Sequence, residues 1–138
     1  MSKKMNILCV DDDMINLKLL TRMLNKYEDI GEIYTAYNGV EARLKVREHD
    51  DIDLILLDIM MPIMTGEEST TSILGWEKEN NIKHIPIIAV TANAIKGDRE
   101  RFLDAGMDEY ITKPLKKQAV EHIFKKFFGE EIYDKYLI

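Results

Sequence analysis

One cysteine, Cys9, stands in the 138 residues, so no intrachain disulfide can form, and its place inside an apolar run reads as a small buried hydrophobe. No stretch reaches the roughly 18 uncharged apolar residues of a membrane span, and membrane insertion is not expected. The opening Met1-Ser2-Lys3-Lys4-Met5-Asn6 is positively charged, but Asp11-Asp12-Asp13 cuts short the apolar run behind it. That excludes a signal-peptide core and predicts a cytoplasmic protein. Basic charge is also scarce: 19 Lys and Arg against 25 Asp and Glu leave a net charge of -6, which repels a phosphate backbone and argues against nucleic-acid binding. His49, His84 and His122 form no i, i+3 or i, i+4 pair, so a helical zinc site has no support and all three are expected on the surface. No Gly/Ser/Pro-rich linker, low-complexity tract or internal repeat divides the chain.

What is present is the composition of a soluble globular domain, 46% hydrophobic and 32% charged in 16.1 kDa. One domain over 1–128 is expected, with 129–138 as an extension of the last helix or a tail. Five apolar runs read as strands: 6–10, 32–37, 53–57, 86–90 and 109–112. Between them lie segments with helical spacing. Ile15, Leu19, Leu20, Met23 and Leu24 mark the first and Val40, Leu44 and Val46 the second, with three more over 67–79, 97–105 and 117–128. Runs as solidly apolar as Leu54-Ile55-Leu56-Leu57 and Ile87-Ile88-Ala89-Val90 suit the interior of a parallel sheet covered on both faces. The fold class is therefore α/β, a doubly wound three-layer sandwich with five strands and five helices.

In such a sheet, ligands bind beyond the carboxyl ends of the strands. The first strand runs into Asp11-Asp12-Asp13, the third into Asp58, the fourth into Thr91-Ala92 and the fifth into Lys113-Pro114. Carboxylates gathered at one edge repel unless a cation sits among them, and all-oxygen ligation suits Mg²⁺. With a lysine and a hydroxyl opposite, this is an arrangement for phosphoryl transfer to an aspartate. Each residue also has a plainer reading. An aspartate after a strand is a common helix N-cap, which is the reading favoured for Asp13; Thr91 could cap the next helix, Lys113 could be a solvated loop lysine, and Asn16 an exposed helical residue. The joint pattern carries the case.

That pattern resembles the receiver domain of bacterial response regulators, the CheY-like family, along nearly the whole chain. The matching residues are Ile7-Leu8-Cys9-Val10-Asp11-Asp12-Asp13, Asp53-Leu54-Ile55-Leu56-Leu57-Asp58-Ile59-Met60-Met61-Pro62 with Gly66, Pro86-Ile87-Ile88-Ala89-Val90-Thr91-Ala92, and Gly106-Met107-Asp108-Glu109-Tyr110-Ile111-Thr112-Lys113-Pro114. The resemblance implies the flavodoxin-like strand order 2-1-3-4-5 and a phosphoacceptor switch rather than an enzyme. It implies Asp58 as phosphoacceptor, and a Mg²⁺ site of Asp11, Asp12, Asp58 and the backbone carbonyl of Met60. Thr91, Ala92 and Lys113 would bind the phosphoryl group, Thr91 and Tyr110 would form the switch pair, and Gly66 and Pro114 would shape the loops, Pro114 through a cis bond with Lys113. Met60 and Asn93 occupy positions where the family tunes the lifetime of the phosphorylated state.

The implied partners are a histidine kinase or histidine phosphotransfer protein, and a downstream protein that meets the face formed by parts of 96–105, 109–111 and 115–128. The chain would be a monomer or a phosphorylation-dependent dimer. Val120, Ile123, Phe124 and Phe127 are expected to face the core, and Tyr133, Tyr136 and Leu137 to form an extra turn, a tail or a dimer contact. The Met1-Ser2-Lys3-Lys4 start favours a stand-alone receiver, while the stretch 91–114 also resembles receivers attached to hybrid histidine kinases. Two rivals share the topology. A haloacid-dehalogenase-like phosphatase would use Asp11 as nucleophile, with Asp11-x-Asp13 as its first motif, but Ile15 stands where that family has Thr or Val and its late acidic pair is missing. A flavodoxin-like nucleotide binder needs a Ser/Thr/Gly-rich loop after the first strand, where three aspartates stand instead.

Overall fold

The computed structural model describes residues 4–61, 63–92 and 94–128. Pro62, Asn93 and the expected tail 129–138, with Tyr133, Tyr136 and Leu137, lie outside the described residues. Ten elements alternate along the chain: β1 Met5–Val10, α1 Met14–Leu24, β2 Ile30–Ala36, α2 Gly39–Glu48, β3 Leu54–Asp58, α3 Gly66–Glu79, β4 Ile87–Thr91, α4 Asp98–Asp104, β5 Glu109–Thr112 and α5 Lys117–Phe128. The strands form one parallel sheet in the order β2-β1-β3-β4-β5. Parallel neighbours need crossover connections, which α1 to α4 supply, while α5 follows the last strand.

Side chains alternate across the sheet, so each strand feeds two cores. Ile7, Cys9, Leu54, Leu56, Ile88 and Ile111 point to one face, where they meet Leu17, Leu20 and Leu24 of α1 and Val120, Ile123 and Phe124 of α5. Leu8, Ile55, Leu57, Ile87 and Ala89 point to the other, against Ala42 and Val46 of α2, Ile73 of α3 and Phe102 of α4. Cys9 is fully buried, and burial pushes its thiol up to about 12, so it packs as a hydrophobe. Among the described residues, no helix is long and apolar enough to cross a membrane.

The expected apolar stripes need correction. In α1 the buried residues are Leu17, Leu20 and Leu24, whereas Ile15 and Leu19 are 69% and 57% exposed. The run holds two overlapping stripes that share Leu20 and Leu24, and the angle at which the chain leaves β1 selects one. Asp13 sets that angle as N-cap, its carboxylate accepting from the amides of Ile15 and Asn16. In α2, Leu44 is exposed and Ala42 and Val46 are buried. Helix α4 starts at Asp98 because Gly97, at φ 93, occupies the left-handed region that glycine enters at little cost. Helix α3 starts at Gly66, held by a capping box between Thr65 and Glu68.

Candidate functional site

Strand register alone brings the candidate residues together. Val10 pairs with Leu57, Asp58 with Val90, and Thr91 with Thr112. Asp11, Asp58, Thr91 and Lys113 therefore emerge side by side on three adjacent strand ends and the start of the loop after β5, with neighbouring strands about 4.8 Å apart. Asp11, Asp58 and Thr91 are buried, Lys113 is half-buried and Asp12 is exposed.

Three carboxylates converge here: Asp11, Asp12 and Asp58 each place an oxygen within 4.8 Å of the others. The Lys113 ammonium lies between two of them, 2.9 Å from Asp11 Oδ2 and 3.3 Å from Asp58 Oδ1. The other Asp11 oxygen accepts from the Asp13 amide at 2.9 Å, which ties the acid to the turn that starts α1. Burial, then the nearby charge of Asp11, push the Asp58 carboxyl from 3.8 up to about 6, against the opposing pull of Lys113 and of the Met60 amide that donates to it. On Lys113, burial works against the charge, yet both carboxylates outweigh it and hold the ammonium above its ordinary value. An all-oxygen donor set whose negative charge one lysine only partly offsets fits a small hard cation such as Mg²⁺.

The remaining candidates surround this cluster. Met60 enters it through its backbone N–H, whereas the expectation concerned its carbonyl; its side chain is 79% exposed. Ala92 is exposed after β4. Tyr110 is half-buried, its ring tilted on Phe102 at 6.0 Å between centroids. Lys113-Pro114 is a cis peptide, and the Lys113 amide donates to the Thr91 carbonyl at 2.8 Å. Gly66 closes the β3–α3 loop: its amide donates to the Ile59 carbonyl, and a Cβ there would lie 2.9 Å from both the Asp58 carbonyl oxygen and Ile59 Cα. Because both obstacles are backbone, Gly66→Ala should cost about 1–3 kcal/mol by urea unfolding and shift the loop beside Asp58. A result within 0.3 kcal/mol of wild type, roughly the noise between independent sites, would show the loop is not so constrained.

Sequence reasoning missed the wall beside the site. A cavity of about 530 Å³ opens from Asp11 and Lys113 between α1 and the loop into α5, lined by Asn16, Leu19, Met23 and Leu115 among others. The signal was the apolar spacing of Leu19 and Met23 in α1, both of which line this cavity. His84 is exposed, as expected, yet both its ring nitrogens contact carboxylates, Glu77 at 2.9 Å and Asp108 at 2.8 Å, which sequence reasoning did not find. His49 is half-buried and stacks on Tyr34, while His122 is exposed as expected.

A family model for the response regulator receiver domain matches residues 7–125. The chain is 36% identical over 128 residues, 93% of its length, to the sensor protein GacS of Pseudomonas syringae pv. syringae, of which it spans only 14%. Among solved structures it is similar to the co-crystal structure of the Saccharomyces cerevisiae histidine phosphotransfer signaling protein Ypd1 and the receiver domain of its downstream response regulator Ssk1. There the TM-score is 0.81 and the identity 29%, covering 92% of this chain and 90% of that one. It is also similar to the receiver domain of sensor histidine kinase PA1611 from Pseudomonas aeruginosa PAO1, which has a magnesium ion coordinated in its active site cleft. In that case the TM-score is 0.76 and the identity 31%, over 90% of this chain and 97% of that one. None of these supports the haloacid-dehalogenase-like phosphatase.

Proposed function

The chain belongs to the response regulator receiver family of two-component signalling, and from that premise we propose that Asp58 is its phosphoacceptor. The donor is a phosphohistidine on a histidine kinase or histidine phosphotransfer protein, a reading supported by the likeness to the Ssk1 receiver solved with Ypd1 and to GacS. The observation that carries the assignment is the position of the Asp58 carboxylate, at the centre of strand β3's end and within reach of Lys113 and two further acids.

An Asp58 oxygen attacks phosphorus, the N–P bond of the donor breaks, and the leaving imidazole nitrogen keeps the bonding electron pair and takes a proton. The product is an aspartyl phosphate on Asp58, later lost to water, so the domain acts as a switch rather than a turnover enzyme. Asp11, Asp12, Asp58 and the Met60 carbonyl would hold Mg²⁺, which when bound would supply charge neutralisation on the transferred oxygens. Lys113 moves its ion pair from Asp58 to a phosphoryl oxygen, the Thr91 hydroxyl and the Ala92 amide donate to the others, and Tyr110 follows Thr91 inward. Gly66 and Pro114 hold the two loops in place. The phosphoryl group shifts the population only as far as these contacts are better in the active arrangement, and the change reaches a downstream protein through the α4, β5 and α5 face.

Acetyl phosphate with Mg²⁺ should give one labile phosphoryl adduct in intact mass, absent in Asp58→Asn and much reduced in Asp11→Asn. An adduct that survives Asp58→Asn sinks the assignment. Protons and metal compete for Asp58, so Mg²⁺ should raise the thermal midpoint increasingly as pH climbs through about 6, and EDTA should reverse the gain. A Mg²⁺ effect equal at pH 5 and pH 8 would place the ion elsewhere.

A further inference from the structure

At the end of the sheet opposite Asp58, His84 lies between α3 and β4. Its Nδ1 is 2.9 Å from Glu77 Oε1, near the end of α3, and its Nε2 is 2.8 Å from Asp108 Oδ2, one residue before β5. The same carboxylates hold the entry to β4: Glu77 Oε2 accepts from the Ile85 amide and Asp108 Oδ2 from the Ile87 amide, both at 2.8 Å. The cavity of about 650 Å³ at this end adds Lys83, His49, Asp50 and Asp53 as the other titratable groups around the ring.

Carboxylates only accept hydrogen bonds, and a neutral imidazole has one N–H to give; only the imidazolium can donate to both. We propose that His84 is a proton-operated staple, which when charged ties the end of α3 to the start of β5 and when neutral must release one of the two. Exposure decides which. The Glu77 side chain is 6% exposed and would be left with a buried unpaired oxygen, whereas that of Asp108 is 26% exposed and open to water. The neutral ring therefore keeps its proton on Nδ1, towards Glu77, and the β5 link opens.

Burial opposes the charged ring, but the hydrogen bonds and charges of Glu77 and Asp108 outweigh it and hold His84 above its ordinary value. A raised basic group stabilises the fold fully below its unfolded value of about 6.5, and that contribution fades as pH rises through the folded value. The device is therefore closed below about pH 6.5 and opens as pH rises through the folded value of His84.

Imidazole ¹⁵N spectra of the full wild-type chain between pH 5.5 and 9 test this directly. The expected record is a His84 midpoint above about 6.5, with both ring nitrogens protonated below it and Nδ1–H retained above it. Asp108→Asn should lower the midpoint by about one pH unit, since a carboxylate at hydrogen-bond distance is replaced by a neutral group. A wild-type midpoint at or below 6.5, a neutral form protonated on Nε2, or a midpoint unmoved in a folded Asp108→Asn would each overturn the proposal.

Discussion

Asp58→Asn should make the protein more stable at pH 7.5 by about 1–2 kcal/mol while removing its phosphoryl acceptor. The Asp58 side chain is 6% exposed, and burial together with Asp11 raises its carboxyl from 3.8 to about 6. Two pH units correspond to roughly 3 kcal/mol of strain in the ionised form at about 1.36 kcal/mol each. Asn keeps the shape and loses that strain. The raised value already contains the opposing pull of Lys113 and of the Met60 amide, so roughly 3 kcal/mol is the ceiling, and the net gain is smaller because an amide fits the site less well than the carboxyl it replaces. The sign follows from linkage: an acid whose folded value is raised favours folding fully below about 3.8, and that advantage is lost as pH rises through about 6. The gain should therefore be small at pH 3.5, grow between pH 4 and 6, and level off above. Urea unfolding of both proteins at four pH values measures it. A variant less stable than wild type at pH 7.5, or a gain undiminished at pH 3.5, would mean that Asp58 is not held ionised against its surroundings.

How legible this protein is in its sequence varies with the range of the interaction. Strands β3 and β4 are buried on both faces, so their continuous apolar runs stand out and also locate Asp58 and Thr91 at their ends. Asp13 as a cap is likewise local, a bond to residues two and three positions on. The inward face of α1 was not legible because periodicity gives the spacing of a buried face but not which of two faces sharing Leu20 and Leu24 turns inward. The contacts of His84 left no local signal because its partners stand 7 and 24 residues away and meet it only once the strands align. The Met60 amide left no trace at all, since a backbone donor is the same whatever side chain it carries. The joint pattern at the strand ends was legible for a different reason: parallel register converts four separated positions into one edge.

Lys113→Met separates two roles that the free protein combines in one side chain. The ammonium lies 2.9 Å from Asp11 and 3.3 Å from Asp58, and its removal leaves two buried carboxylates facing each other. Asp58 should then titrate still further above about 6, because the lysine's charge and hydrogen bond are two of the influences that lower it. Breaking a buried pair costs about 3–5 kcal/mol, but Lys113 is 22% exposed and water screens part of the repulsion, so a loss of about 2 kcal/mol at pH 8 is expected. That loss should shrink as pH falls through about 6, where Asp58 takes up its proton. A divalent cation can replace the missing charge, so Mg²⁺ should stabilise the variant by more than it stabilises wild type. It cannot replace a hydrogen bond from Nζ to a phosphoryl oxygen. If Lys113 were only a counter-ion, saturating Mg²⁺ would restore both the unfolding midpoint and the acetyl phosphate adduct. As a phosphoryl-binding group, it leaves a variant whose stability Mg²⁺ recovers and whose adduct stays at least tenfold lower, the factor that about 1.4 kcal/mol of lost interaction produces. Intact mass and urea unfolding on the same samples, with and without Mg²⁺, distinguish the two.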